Sequence, residues 1–537
     1  MTSLLSSLDW VVIALYFALT FGAAIWATQR DRSRNTSEDY FLAGRDTGWF
    51  IVGASLFSSN IGSEHLVGLA GTGAASGVAV AQFEILASFI LLLLGWFFAS
   101  FYLRSGVYTM PEFLERRYSP AARWYLAVIS IVGYVLTKIS VTVAAGAIVF
   151  QTLMGIDFWT GAVIVVLVTG VYTVFGGLLA VLITDTVQMF VLIGGSVAVL
   201  FGGLNAVGGW GEMMTAAGPV AMDMWKPASD PDFPWTGILF GAPILGIWYW
   251  CTDQFIVQRT LAARNLTQAR RGTIFAAALK ILPLFIFVLP GVLAAILAQR
   301  RQLALDAPDQ ALPAMVGALL PSGIRGLVVA GLLAALMSSL SSVFNSTSTL
   351  ITWDIYKKLN PRASEKRLVL VGMLSTSVLV VLGLAWIPLM DRISAQLYQY
   401  LQSVQAYIAP PIAAVFLLGL LSDRINARGA MAALYVGFVL GVGRLALELN
   451  KAALDGALFA YADMNFLHFA ALLFVVCALV LIAISLTAPP PPRGQIAGLT
   501  LQTAPPPAAS DRGRGLDLVW SAGVCLAVAV VWLYFSS

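Results

Sequence analysis

The sequence predicts an all-α integral membrane protein of about fourteen transmembrane helices, on three observations. Hydrophobic residues make up 59% of the 537 and charged residues only 11%, against about 25% charged in ordinary soluble domains. Apolar runs recur along the whole chain at the roughly 17 to 25 residues that a helix needs to cross a bilayer. One such run, residues 52–73, carries Ser58, Ser59, Asn60, Ser63, Glu64 and His65 among Gly53, Gly62, Gly68, Gly71 and Gly73. A lipid-facing helix cannot hold that load, because broken backbone at membrane depth survives only inside protein or along a cavity. Broken helices near the midplane are the pattern of secondary transporters, whose unwound carbonyls hold coupling ions. The stretch therefore points to an ion-coupled transporter.

The apolar runs lie near residues 8–28, 49–70, 80–103, 124–150, 157–176, 180–206 and 236–258. They continue near 272–298, 326–352, 367–388, 395–420, 429–448, 464–487 and 516–535. The first is too long for a signal-peptide core and has no basic flank before it, so it is expected to stay as a span. The fifth and sixth are divided at 175–179. Residues 207–235, rich in Gly, Pro and Trp, are expected to pack as a short lid. Residues 488–515 hold Pro489 to Pro492 and Pro505 to Pro507. That composition predicts a stiff polyproline-type tether for the last span, disordered and without a partner, because it cannot build a core.

Loop lysines and arginines set the orientation, since cytoplasmic loops carry the excess. Loops after odd-numbered spans hold Arg30, Arg32, Arg34 and Arg45, then Arg104, Arg116, Arg117 and Arg123, then Arg259, Arg264, Arg270 and Arg271, with more toward the C-terminus. The other side holds fewer: Lys226, Arg300, Arg301, Arg325, Arg392 and Lys451. Both termini are thus expected outside the cytoplasm, in a multi-pass protein of the plasma membrane, or of the inner membrane if the chain is bacterial. The net charge of +4 gives no basis for nucleic-acid binding. Cys251, Cys477 and Cys525 all fall in or beside apolar spans and make neither a disulfide framework nor a metal site. The bilayer is the expected environment, and no obligate protein partner is evident.

Depth along each span tests whether the polar residues meet. At about 1.5 Å of rise per residue, Asn60, Tyr249, Lys280, Ser338 and Gln402 all fall in one layer of the membrane. A lysine at a span centre costs on the order of 3 kcal/mol and is a functional-site hypothesis by default, so Lys280 is assigned to substrate or counter-ion. Lys138 and Arg444 are assigned structural roles. His65 and Glu84 share the outer half and are expected to form one polar site. On the ninth span Ala335, Ser338, Ser339 and Ser342 line one helical face at the depth of Ser58 to Ile61. Hydroxyls and unwound carbonyls are hard oxygen ligands, suited to a weakly held cation such as Na+ by the logic that governs Ca2+ and Mg2+. Asp185 lies at the depth of Ser341 and Ser342, where a second cation site would fit.

These residues stand in strings that resemble a known family, the sodium:solute symporters, and within it the sodium/glucose cotransporters. The strings are DYFLAGRDTGWFIVGASLFSSNIGSEHLVGLAGTGAASG at 39–77, TMPEFLERRY at 109–118, YTVFGGLLAVLITDTVQ at 172–188, WYWCTDQFIVQRTLAARN at 248–265, LMSSLSSVFNSTSTL at 336–350 and YLQSVQAYIAPPIAAVFLLGLL at 400–421. The resemblance implies a LeuT-type fold with a five-plus-five inverted repeat in a transport core at 49–421. The first helix and its loop (1–48), flanking helices (422–487), a Pro-rich linker (488–515) and a last helix (516–537) would surround it. It implies Na+-coupled import of a hexose such as glucose or galactose by alternating access. Asn60, His65, Glu84, Lys280 and Gln402 would bond sugar hydroxyls, Trp250 would support them, and Tyr249 would stack on the pyranose. One Na+ would take carbonyls of Ser58, Ile61 and Ala335 and hydroxyls of Ser338 and Ser339; a second would use Asp185, Ser341 and Ser342. Gly246 and Gln405 stand where relatives often differ, leaving the choice of sugar or polyol open. The same fold also carries solutes such as inositol, proline, sialic acid or carboxylates, or acts as a sensor. No nucleophile, metal cluster or phosphate loop suggests an enzyme.

Overall fold

The computed structural model describes residues 4–30, 36–62, 64–390, 397–504 and 514–536. Arg32, Arg34, Ser63, Arg392 and the second proline run lie outside them. Among the described residues the regular structure is all helical, apart from two isolated bridges, Thr47 with Ala263 and Lys226 with Pro234.

Helix α1 spans Ser7–Arg30. Its buried Asp9 accepts the backbone N–H groups of Gly323 and Gly326, both at 2.8 Å, and pairs with Arg325 at 2.9 Å. Helix α2, Trp49–Asn60, stops at Ile61, whose φ of −75° and ψ of 79° leave helical geometry. A wider π-helical turn, Glu64–Leu69, and a short helix, Ala70–Ser76, continue the span. Helix α3 covers Gln82–Leu93 and α4 Phe158–Val207. The seventh expected span is also broken: a π-helical turn at Ile247–Thr252 gives way to extended backbone at Asp253, which caps a new helix, Gln254–Leu261. Further along come α5 (Leu266–Leu279), α6 (Leu289–Gln299), α7 (Ile324–Leu350), α8 (Leu397–Leu421) and α9 (Arg514–Tyr534).

Two faces of the bundle can be told apart. On one, the Leu4 N–H donates to the Leu153 carbonyl and a Cβ on Gly317 would meet both Leu4 and Leu153. On the other, Thr47 bonds Ala262 and Arg264 through backbone. The start of α4 lies on the Leu4 face, against Phe150 through Gly161, and so does its end, against Met315 through Gly203. Its middle, Leu178 and Leu182, packs with Ala43 and Ala262 on the Thr47 face. The fifty residues therefore meet one face at both ends and the other face at their middle. The last helix ends on the Leu4 face, where the Met224 N–H donates to the Phe535 carbonyl at 2.9 Å.

Nine helical stretches among the described residues are long and apolar enough to cross a membrane, with shorter apolar helices at Ser7–Gly22 and Phe158–Gly170. Two of the expected fourteen spans fail that test for a physical reason. The second and seventh expected spans are broken internally, and the third runs on from the second as one stretch, His65–Ser105.

Glycines bring two of these elements into backbone contact. A Cβ on Gly53 would stand 2.6 Å from the Gly272 carbonyl, one on Gly73 2.7 Å from that of Val288, and one on Gly291 2.0 Å from that of Ala70. So α2 and its continuation lie flush against α5 and α6. Such close approach is what small residues permit in membrane helix pairs.

The expected tether is corrected in its first half. Residues 488–504 dock on the Thr47 face: Gln495 donates to the Tyr118 carbonyl at 2.8 Å, and the Leu501 N–H to that of Leu420 at 2.8 Å. Ile496 and Leu499 are buried there. The segment builds no core of its own but borrows one.

A clasp of charges closes the same face. Arg123 bridges Glu115 at 2.6 Å and the buried Asp354 at 2.7 Å, Lys358 reaches Glu115, and Tyr108 stacks on Trp353 at 4.0 Å. Burial pushes the Glu115 carboxyl up, but hydrogen bonds from Lys358 and Arg123 outweigh it and hold the group below its ordinary range. A depressed carboxyl contributes stability above its unfolded pKa and loses it as pH falls through the folded value. Wild type should therefore lose its thermal-stability margin over Glu115→Gln between about pH 5 and pH 3. A margin that stays constant over that range would remove the carboxylate from the clasp.

Candidate functional site

The break in α2 opens onto a narrow, half-open cavity. Asn60, His65, Glu84, Tyr249, Trp250 and Gln402 line it, with Gln405 and Gly246 beside them. At its base runs a continuous chain of polar contacts. The fully buried Lys280 ammonium donates to Glu84 on α3 and to the Asn60 side-chain oxygen at the end of α2. The other Glu84 oxygen lies 3.0 Å from His65 Nε2. The Asn60 amide donates to the Tyr249 hydroxyl at 3.1 Å. The Nδ1 atom of His65 is buried with no hydrogen-bond partner, and an orphaned buried polar atom asks for one.

Tyr249 sits on the π-helical turn of the seventh span, edge-on to Trp250 at 5.1 Å. The Lys280 ammonium lies 5.4 Å from the Trp250 ring. Beneath Tyr249 is a second buried cation: Lys138 stands 4.1 Å from the ring centres of both Tyr249 and Phe255 and 3.9 Å from Asp253. Tyr134 donates to Asp253. The tyrosine ring is thus supported from below by a cation against its π face, a contact worth about 2 kcal/mol when desolvated.

A cluster of oxygens joins α2, α4 and α7. Asp185 accepts Ser55 at 2.6 Å, Ser59 at 2.7 Å and Ser338, while its own carbonyl accepts the Ser58 hydroxyl at 2.8 Å. Ser339 reaches the Ser59 carbonyl at 3.4 Å. Ile61 is the residue at which α2 stops, and Ala335 is buried on α7 one turn before Ser338. Arg259, fully buried, donates to Ser59 at 2.7 Å, to Ser55 at 3.2 Å and to Ser342. Asp185 and Arg259 therefore face each other across shared serine hydroxyls.

The sodium:solute symporter profile matches residues 40–437 of this chain. The chain belongs to the sodium:solute symporter family. It is 40% identical to mouse sodium/glucose cotransporter 4, over 93% of this chain and 78% of that protein, and 40% identical to rat sodium/glucose cotransporter 2, over 90% and 79%. Its fold is that of a solved Na+-coupled sialic acid symporter, with a TM-score of 0.76 over 90% of this chain and 99% of the other at 23% identity. A nucleobase-cation-symport-1 transporter aligns less closely, with a TM-score of 0.51 at 15% identity over 85% of this chain and 96% of the other.

Within this symporter the structure brings together Asn60, His65, Glu84, Lys280, Tyr249, Trp250 and Gln402 around one cavity. It brings Ser58, Ser338 and Ser339 to the end of α2. It does not bring Ser341 or Ser342 onto Asp185: Ser341 bonds the Ser338 carbonyl at 2.9 Å, and Ser342 faces Ser59 and Arg259. Arg259, expected in a loop, is instead buried at the bundle centre. Its signal was the string FIVQR, an apolar run that carries the arginine one turn past Phe255. Lys138 was assigned a structural role; its contact with the Tyr249 ring follows from depth, which places both near the same level.

Proposed function

We propose that this symporter imports a hexose-type sugar with Na+ by alternating access, the cavity at the break in α2 being the sugar site. The observation that carries the reading is the Lys280–Glu84–His65 chain with Asn60. It presents donors, acceptors and the open Nδ1 of His65 to a ligand rich in neutral hydroxyls, beside an aromatic wall suited to the C–H face of a pyranose. In this reading Asn60, His65, Glu84, Lys280 and Gln402 bond hydroxyls, Trp250 supports them and Tyr249 closes the inner end. The named relatives, sodium/glucose cotransporters at 40% identity, support the same assignment.

The coupling ion takes oxygens only: carbonyls of Ser58, Ile61 and Ala335 with hydroxyls of Ser338 and Ser339. Asp185, with Ser341 and Ser342, would serve a second cation in a conformation where Ser341 has left the Ser338 carbonyl and Ser342 has left Arg259. Na+ there ties α2 to α7, and coupling requires that it bind one conformation better than the other. Fourteen spans, with an inverted repeat of spans two to six and seven to eleven, complete the proposal. The core occupies 49–421 between the first helix, the flanking helices at 422–487 and the tethered last one. The arginine-rich Thr47 face would be cytoplasmic, with both termini outside.

Uptake of labelled glucose and galactose into proteoliposomes, with an inward Na+ gradient against equal K+, tests the reading. Accumulation only with Na+ is expected. Retained Na+ binding with no uptake of either sugar would move the search to other solutes. Replacing Gln402 with alanine should weaken apparent sugar affinity by roughly ten-fold, the scale of a lost buried hydrogen bond; unchanged uptake kinetics would take Gln402 out of the site.

A further inference from the structure

Part of the cavity wall is aromatic: Phe83, at the first turn of α3, and Tyr398, at the start of α8, both line it. Their rings meet edge-on at 5.9 Å. Behind Phe83 stand two further rings that are not part of the lining. Phe233 meets Phe83 edge-on at 6.1 Å, and Phe466 stacks on it at 6.3 Å with the planes 13° apart. Both separations fall within the range of about 4.5 to 7 Å at which ring pairs attract.

Phe233 comes from the stretch expected to pack as a lid. After the helix Trp210–Met222 the chain runs without helix through 223–234 to the helix Trp235–Phe240. It lies toward the Leu4 face, where Met224 bonds Phe535, and its backbone is pinned. The Asp230 carboxylate accepts the N–H groups of Asp232 at 3.0 Å and of Phe233 at 2.7 Å. Pro231 and Pro234 add fixed φ angles on either side. The Asn465 amide donates to the carbonyls of Pro231 at 2.7 Å and Asp232 at 3.1 Å, while its own oxygen accepts the Leu467 N–H and caps the helix Phe466–Thr487. One asparagine therefore sets both rings that back Phe83. Phe233 is only 1% exposed, so its ring is held from every side.

Three consecutive residues carry this order into the cavity. Gln82 donates to the Met224 carbonyl at 3.4 Å and accepts the Trp532 indole N–H of α9 at 2.7 Å. Phe83 rests on Phe233, and Glu84 is the carboxylate that meets Lys280 and His65. The loop thus bears on the turn that delivers Glu84 without lining the cavity itself.

We infer that Phe233 is a positioning residue for the sugar site: by holding Phe83 in the wall, the 223–234 loop sets how tightly the cavity closes on its ligand from the Leu4 side. The inference rests on the cavity being the sugar site. A ring pair that holds the wall in place sets the population of the opened wall, and ligand held by the closed form is lost in proportion.

Two measurements on the full chain test it. In proteoliposomes, Phe233→Ala should raise the sugar concentration for half-maximal Na+-driven uptake by about three- to ten-fold, the scale of one aromatic pair, with the maximal rate unchanged. Phe233→Leu, which keeps apolar bulk behind Phe83, should fall between wild type and Phe233→Ala. In a Phe83→Ala background, Phe233→Ala should add nothing to the half-saturation, because the ring it holds is gone; a merely structural role would cost melting temperature alike in both backgrounds.

The second measurement needs no sugar. Ala87 lines the cavity. In nanodiscs, Ala87→Cys should react with a polar maleimide, above the background of the native cysteines, about three- to ten-fold faster when Phe233→Ala is added, since both readouts follow the opened wall. An unchanged alkylation rate, or an uptake effect that persists undiminished without Phe83, would overturn the inference. Faster alkylation with no sugar uptake by any variant would uphold the loop's role and remove the sugar instead.

Discussion

Replacing Lys280 with methionine is expected to abolish saturable uptake and to destabilise the protein by about 3 to 5 kcal/mol, the cost of leaving one member of a buried ion pair without its partner. The stranded group is Glu84, which keeps His65 as its polar partner among the described residues once the ammonium is gone. The double replacement Lys280→Met with Glu84→Gln removes both charges and should recover most of the lost stability, because neutralising a buried pair together is far less costly than breaking it. It should not recover uptake, since the hydroxyl partners are missing in both variants. Melting temperature and uptake measured on all three proteins separate the two roles. Transport restored by the double variant would mean that Lys280 only neutralises Glu84 and bonds no substrate.

The second large effect concerns Asp185. An asparagine there presents an N–H2 group to serine hydroxyls that now donate to a carboxylate, two of which also accept from Arg259. Arg259 then keeps its charge in the bundle centre without a counter-charge across the serines. Hydrogen bonds to charged groups are worth about 1.5 to 3 kcal/mol each, so the Na+ concentration for half-maximal uptake should rise by roughly ten- to a hundred-fold. Sugar affinity at saturating Na+ should change far less, because none of these groups lines the sugar cavity. Uptake measured across a Na+ series decides it. A folded variant with unchanged Na+ dependence would make Asp185 an anchor for Arg259 and nothing more.

Much of this site was legible in the sequence because polar residues inside apolar runs have no bland explanation at membrane depth. Lys280, Asn60 and Glu84 stand out on that ground; depth brought Lys280 and Asn60 to one level but set Glu84 in the outer half, where Lys280 nevertheless pairs with it. The partners that anchor the site were harder to see. Arg259 lies at the end of an apolar run and before Arg264 and Arg270, so it reads as one more loop cation; only the fold shows that the seventh span breaks at Asp253 and carries it back into the core. The docking of residues 488–504 was hidden for the opposite reason. Proline-rich composition says that a segment cannot fold alone, and says nothing of whether a neighbour offers it carbonyls and a groove. The course of α4 between the two faces is encoded in which residues its two ends and its middle touch, none of which is local in sequence.

The glycine contacts between the broken span and its neighbour have a bearing on how the molecule can move. Where one main chain rests directly on another, at Gly53 with Gly272 and at Gly73 with Val288, no side chain is left to slide or rotate as a bearing. The two strands of helix must travel as a single rigid piece. Asn60 lies between the first pair of contacts and the second, and so does Lys280 on the facing chain, so the bond between them is expected to travel with that piece. Gln402 and the serines of α7 sit on other pieces. In the proposed reading, the sugar's hold on Asn60 and Lys280 would persist while cargo moves, and its hold on Gln402 would be made and released at each turnover.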